Sequence, residues 1–183
     1  MENLIKKNFQ TNRLILEFSN FLLNEKQKKD LFECYSDEEV IKYSGIDKAL
    51  FYDDLDKIYS EYREKSNFFI WLIFDKENQK YIGDISISIC FKHKFGNIGF
   101  LLSRNWWRKK IMTESVKTLL YFFFENKILH RVEAQVHELN LQSQKFLESI
   151  NFSLEAVLKE NFFYRGKFYN SYLYRILSYE FKF

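Results

Sequence analysis

Between Arg104 and Lys110 the chain reads RNWWRKK, four basic side chains and two tryptophans within seven residues. Directly after it, Met112, Val116, Leu119, Leu120 and Phe123 recur at helical spacing and give the next stretch one apolar face to bury. The basic loop therefore empties onto a helix N-terminus. Free backbone N–H groups and the positive end of the helix dipole already favour an anion there. Recognition of phosphate is the chemistry implied, with a pyrophosphate the foremost candidate. Further along, Asn140 is placed to cap a helix whose first turn holds Ser143.

Composition narrows the field. At 183 residues the chain is long enough for one well-filled core and short for two domains, so a single domain over 1–183 is expected. No stretch approaches the ~20 apolar residues that span a bilayer, and MENLIKKNFQTNRL lacks the apolar run of a signal peptide. Neither a membrane partner nor secretion is expected. Cys34 and Cys90 match no metal or redox spacing and read as reduced thiols of a cytoplasmic protein, with no metal site. A net charge of +3 is too mild to demand nucleic acid, and the aromatic residues fall mostly at core periodicity rather than among arginines.

The elements that must position the basic loop follow from periodicity. Arg13–Glu17 alternates as an opening strand; an amphipathic helix spans Asn24 to Tyr35, and Asp37 caps a short one. Phe51, Leu55, Ile58 and Tyr62 predict a helix from Asp47 to Lys65. FFIWLIF suits a strand buried on both faces, and Ile85, Ile87, Ile89 and Phe91 alternate with Asp84, Ser86, Ser88 and Cys90 on the next. Gly96 is expected to close the hairpin into a central strand, IGFLL. After the central helix, Arg131–His137 alternates as a strand, and the helix from Asn140 follows. Two closing strands, Leu154–Tyr164 and Phe168–Tyr179, pair across Arg165-Gly166.

Several of these segments, in this order, resemble the GNAT N-acetyltransferase superfamily and in particular its RimJ/RimL-type branch. WRKKIMTESVKTLLYFFFE resembles the coenzyme A loop and helix, FQTNRLILEF the opening "TERLxLR", and YIGDISI the "xIGxIxL" strand. RVEAQVHELNLQSQKFLESINF is similar to "rveaxvxxxNxxSxrxLEklGF" almost position by position. Departures stand at Lys110, in place of the motif's central glycine, and at Arg108, in place of a more variable one. Glu17, Asn151 and Asn170 replace an arginine, a glycine and an aspartate. The resemblance implies an α/β (α+β) fold, with a central mostly antiparallel sheet flanked by helices.

It also implies an acetyl-CoA-dependent N-acetyltransferase, with acetyl-CoA as co-substrate. The acceptor would be a primary amine: a protein N-terminus, or in a second reading a small amine such as a polyamine or antibiotic. A non-catalytic CoA-binding or interaction module is the reading from another class, and the molecule would be a monomer or homodimer. By the same resemblance, pantetheine pairs along Phe100, Leu101 and Leu102. Trp107, Arg108, Lys109, Lys110, Ile111, Met112 and Thr113 form the loop and helix start that take the pyrophosphate. Asn140 bonds the pantetheine arm, and Ser143 lies near the leaving sulfur, where a hydroxyl could protonate it. Leu147 stands where many relatives carry an acidic tyrosine. Four residues are eligible as the base by chemistry, Glu160, Glu133, Asp84 and His137, and the sequence does not choose among them. At Lys110, added charge opposes a backbone cost of ~1–2 kcal/mol if positive φ is required. Lys110→Gly is then expected to tighten acetyl-CoA binding.

Overall fold

The computed structural model describes residues 2–20, 23–45 and 49–182. In chain order the elements are α1 (Glu2–Ile5), β1 (Phe9–Gln10), β2 (Leu14–Phe18), α2 (Glu25–Tyr35), α3 (Glu38–Ile41), α4 (Tyr52–Arg63) and β3 (Phe68–Asp75). They continue with β4 (Tyr81–Cys90), β5 (Phe95–Leu102), α5 (Ile111–Glu125), β6 (Arg131–His137), α6 (Leu141–Ser149), β7 (Ser153–Tyr164) and β8 (Lys167–Leu177). The strands lie in one sheet in the order β1-β2-β3-β4-β5-β6-β8-β7. Every pairing is antiparallel except β5 with β6. This is a mixed α/β fold with a central, mostly antiparallel sheet between helices.

Period-two alternation assigns each side chain to a layer. In β3, Phe69, Trp71 and Ile73 join one core, while Ile70, Leu72 and Phe74 join the other. The first core packs α5 and α6 through Val116, Leu119, Phe123 and Leu147. The second packs α2 and α4 through Leu31, Leu55 and Tyr59. β4 has Ile85, Ile87 and Ile89 toward α5, so Asp84 and Ser86 face the α2 side. An aliphatic side chain buried this way stabilises by roughly 1.5–3 kcal/mol, which is why the apolar alternation rather than loop chemistry sets the register.

Two expectations change on contact with the structure. The helix expected from Asp47 begins at Tyr52, because the Asp54 carboxylate accepts the N–H groups of Leu50 and Phe51 at 2.8 and 2.9 Å and caps the chain there. Asp47 itself lies outside the described residues. Gly96 sits inside β5, paired with Ile89, and not in the turn. A Cβ on it would stand 2.7 Å from Ile87 Cδ1, so the glycine serves packing, and Lys94, at φ 50°, supplies the positive φ of the turn. The structure adds α1 and β1, whose four and two residues are too short to show a period in the sequence.

The closing hairpin explains one departure from the family pattern. Its register shifts between Leu158 and Phe162, and Glu160 takes φ 49° in the irregular stretch. Asn170 secures it: Oδ1 accepts from Glu160 N–H at 3.1 Å, while its own N–H and Nδ2 donate to the two Glu138 oxygens at 2.9 and 3.0 Å. An aspartate could accept but could not donate, and would set a second negative charge against Glu138. Asn170→Asp is therefore expected to destabilise the fold by about 1–3 kcal/mol in urea unfolding, with most of the loss restored by adding Glu138→Gln. No difference between the single and double variants would show that the clip does not hold the hairpin.

Candidate active site

β5 and β6 are held together by three residue pairs only: Phe95 with Arg131, Gly96 with Val132, and Asn97 with Glu133. Beyond that point β5 keeps its bonds to β4 as far as Leu102, and β6 keeps its bonds to β8 as far as His137. Each strand follows its outer neighbour, and the two part. The gap opens into a cavity of about 980 Å³ bounded by the C-terminal halves of both strands, the first turn of α5, the start of α6 and the turn after α3. That is ample for a small-molecule site. Along it, the inner edge of β5 offers backbone N–H and C=O groups with no strand opposite.

At one end of the gap the loop between β5 and α5 meets the helix start. Lys110 is the N-cap of α5 at φ 59°, its side chain makes no capping bond, and Arg108 is also left-handed at φ 60°. Both sequence positions that resembled motif glycines thus hold the backbone conformation that glycine adopts most readily. Ile111, Met112 and Thr113 then begin the helix with N–H groups that have no intrahelical acceptor. Trp107 braces the loop from inside, its Nε1–H donating to Leu102 O at 2.7 Å. Arg104 pairs with Asp37.

Arg13, from the turn before β2, fastens this loop from outside. Its Nε and Nη2 donate to Glu114 Oε2 at 2.9 and 2.6 Å, and its Nη1 to Lys109 O at 3.2 Å. Two effects follow. The carbonyl between the two left-handed residues is tied down, and the Glu114 carboxylate, which would oppose an anion at the helix start, is matched by a cation. The sequence carried a signal for this, since Arg13 and Glu114 both lie in family-like stretches, but nothing in it joined residues 101 positions apart.

The structure sorts the four candidate bases. Glu133 is ion-paired to Arg131 at 2.6 Å, and Glu160 is exposed in the irregular hairpin and does not line the cavity. His137 lines the cavity, but its Nδ1 accepts from Leu139 N–H at 3.1 Å, and burial holds its pKa below the usual range. Asp84 also lines the cavity, buried, with Oδ2 accepting from Tyr81 Oη at 2.6 Å and from Tyr35 Oη at 3.0 Å. Burial pushes its carboxyl up to about 6, against the pull of the two hydroxyls. A carboxylate poised there can accept a proton near neutral pH.

Of the residues singled out in the sequence, Phe100, Leu101, Leu102, Trp107, Arg108, Lys110, Ile111, Met112, Thr113, Asn140 and Ser143 all border this one cavity. Lys109 does not: its ammonium lies 5.0 Å from the Trp106 ring centre. Asn140 caps α6, its side chain accepting from Ser143 N–H at 3.1 Å, while the Ser143 hydroxyl makes no bond among the described residues. Among the described residues no cluster of His, Cys, Asp and Glu could hold a metal, and no helix is long and apolar enough to cross a membrane.

Comparison with known proteins agrees with the geometry. Residues 21–153 match the family model described as the acetyltransferase (GNAT) domain. The chain belongs to the GNAT acetyltransferase family. A relative in Bacillus subtilis, the uncharacterized N-acetyltransferase YoaA, is 25% identical over 174 residues, 92% of this chain and 96% of its own. The RimL ribosomal L7/L12 alpha-N-protein acetyltransferase, solved in complex with coenzyme A, superposes with a TM-score of 0.80 at 16% identity, over 93% of this chain and 98% of its own. Spermidine N-acetyltransferase from Vibrio cholerae, in complex with CoA and spermine, gives 0.75 at 17% identity, over 90% and 96%. At these identities the structures share the fold.

The Asp84 environment has a thermodynamic consequence. Its pKa is raised above the ordinary 3.8 to about 6, so the protonated form is favoured in the folded state. That contribution to stability is complete below about pH 4 and is lost as pH rises through about 6. Asp84→Asn, neutral at all pH, is expected to melt higher than the native chain at pH values above 6. The two melting temperatures should converge as the pH falls toward 4. Parallel Tm–pH curves would show that Asp84 is not desolvated in solution.

Proposed function

We propose that this chain is an acetyl-CoA-dependent N-acetyltransferase of the RimJ/RimL-type branch, with a protein N-terminal amine as its leading acceptor. The observation that carries the reading is the parting of β5 from β6 into a cavity that ends at an uncapped, cation-ringed helix start. The likeness to RimL supports the acceptor; the comparable likeness to the spermidine enzyme keeps a small amine as the second reading. The glycine-like backbone at Arg108 and Lys110 weighs against a degenerate interaction module. One domain, a cytoplasmic setting and a monomer or homodimer complete the proposal; the free thiols of Cys34 and Cys90 suit that setting.

Acetyl-CoA supplies the activated acyl group. In this reading the N–H groups of Ile111, Met112 and Thr113, with Arg108 and Lys110, hold its pyrophosphate. The inner edge of β5 at Phe100, Leu101 and Leu102 pairs with the amide-bearing arm, and Asn140 adds its Nδ2–H, which has no acceptor among the described residues. Asp84 accepts the proton that the acceptor ammonium must lose before it can attack. Ser143 donates a proton to the departing sulfur, and β5 N–H groups steady the negative oxygen that develops between them.

Calorimetry tests the co-substrate first: acetyl-CoA should bind, and more weakly with added salt, as exposed phosphate contacts do. No heat at millimolar ligand would end the enzyme reading. For Lys110→Gly we infer an outcome different from the expectation drawn from the sequence. Lys110 holds φ 59° in the folded loop, so its backbone strain is a cost of folding. Lys110→Gly should therefore raise stability by roughly 0.5–1 kcal/mol and weaken acetyl-CoA by a similar amount, with a smaller salt dependence. Tighter binding would mean that the loop rearranges when ligand arrives.

Steady-state kinetics separates the two proton-transfer roles. Asp84→Asn and Ser143→Ala should each lower kcat by ~10²-fold or more while leaving acetyl-CoA affinity nearly unchanged. The acidic limb of the pH–rate profile, near 6 in the native enzyme, should vanish only in Asp84→Asn. A rate within a factor of about two of native would reassign either residue to a structural part.

A further inference from the structure

Two tyrosines meet at one oxygen of Asp84. Tyr35, the last residue of α2, and Tyr81, the first of β4, both donate to Oδ2, at 3.0 and 2.6 Å. Two donors engage both lone pairs of that oxygen. Oδ1 accepts no hydrogen bond among the described residues, and unlike His137 Nε2 it is not sealed from solvent. Asp84 borders the cavity, and neither tyrosine does. The carboxyl thus has one oxygen fastened on the protein side and one open toward the cavity.

The surroundings offer Asp84 little else. In the sheet, Leu72 of β3 and Leu101 of β5 stand opposite it. Tyr59 of α4 and Cys34 of α2 are the other titratable groups close to it. Burial raises the pKa of Tyr35, Tyr59, Tyr81 and Cys34 alike, so the two phenols remain donors wherever Asp84 titrates. Among the described residues no cation bonds to Asp84. Lys42, after α3, borders the cavity but pairs with Glu39 at 3.8 Å, and Asp37 pairs with Arg104. A neutral carbonyl would satisfy two phenols at lower cost than a desolvated carboxylate. What the carboxylate adds is a place for a proton.

We propose that Tyr35 and Tyr81 are positioning residues for the proton transfer, fastening Oδ2 so that Oδ1 is turned to the acceptor amine. This rests on the acetyltransferase reading above, with Asp84 as its base, and deepens it. The ammonium of the acceptor gives one proton to Oδ1, leaving an amine with its lone pair free and a neutral carboxyl. The proton goes to Oδ1 because both lone pairs of Oδ2 are engaged. It therefore stays on the cavity side and departs through the cavity rather than into the core. The hydroxyls also act on the protonation balance. Burial raises the carboxyl to about 6 even with both of them pulling it down. Without them it would be largely protonated at neutral pH and unable to serve.

Tyr35→Phe, Tyr81→Phe and the double variant remove the hydroxyls and keep the rings. Thiol release from acetyl-CoA is followed with whichever of an alanyl tetrapeptide and spermidine is acetylated. The acidic limb of kcat, near 6 in the native enzyme, should rise by about one pH unit for each hydroxyl lost. At pH 7 the rate then falls about twofold in each single variant and about tenfold in the double, and it returns toward the native value near pH 9. Acetyl-CoA affinity should be unchanged. Tyr81→3-fluorotyrosine, a stronger donor of nearly the same shape, should move the limb downward, and it serves if a phenylalanine variant does not fold. Rates lowered at every pH with the limb in place would show a structural pair only and overturn the proposal. The carboxyl can also be titrated directly through its carbon-13 resonance, assigned by its loss in Asp84→Asn. Its midpoint should rise in both phenylalanine variants and fall with fluorotyrosine. An unmoved midpoint would overturn the proposal, as would a midpoint that moves while the rate limb does not. If acetyl-CoA binds and neither acceptor is acetylated, the transferase reading fails by itself. The carbon-13 midpoint then decides: a shift sustains the hold of the tyrosines on Asp84, and no shift refutes it.

Discussion

Everything at this site depends on a ladder of three residue pairs. β5 and β6 are joined from Phe95 to Asn97 and no further, although both strands run on. Continued pairing would fill the cavity with backbone. It is prevented because each strand is committed elsewhere: β5 to β4 as far as Leu102, β6 to β8 as far as His137. Phe100 of β5 and Phe146 of α6, with ring centroids 5.0 Å apart, pack beside the gap and keep the helix against one lip of it. The fold leaves backbone donors and acceptors unpaired along a strand edge, a hazard elsewhere and here an extended surface that a ligand with amide groups can complete.

Charge is graded along that gap. Arg108 and Lys110 border the cavity at the helix start, and the one carboxylate in its first turn, Glu114, is matched by Arg13. The opposite region has a buried carboxylate among tyrosine hydroxyls. A ligand carrying phosphate at one end and meeting an ammonium at the other has its charges answered in the right order. The left-handed lysine and arginine hold a backbone conformation that glycine adopts readily, at a cost of the order of 1–2 kcal/mol each. Residues in such conformations persist where the surroundings hold them, and the bond from Arg13 to the Lys109 carbonyl is that restraint.

The other departures from the family pattern follow the same logic. Asn151 takes φ 70° just after α6, the conformation a glycine would otherwise supply. Asn170 needs its amide hydrogens because its neighbour is Glu138, with which an aspartate would clash electrostatically. Each substitution is local and is answered by a contact within reach.

The sequence by itself determined the order of the elements long enough to show a period, the faces they bury and the loop that ends on a helix start. Those properties are written in period and local chemistry: Val116, Leu119 and Phe123 mark one helix face, Ile85, Ile87 and Ile89 one strand face, and Asn140 a cap. Whether Lys110 kept a glycine's geometry, and which of Asp84, Glu133, His137 and Glu160 faced the cavity, lay beyond it. A carboxylate's role depends on what surrounds it, and Asp84 draws its surroundings from α2 and β4, 49 residues apart in the Tyr35 bond. Arg13 reaches Glu114 only after the sheet has brought β2 beneath the start of α5. Tertiary structure decided these matters because burial and pairing arise between segments that no local pattern connects.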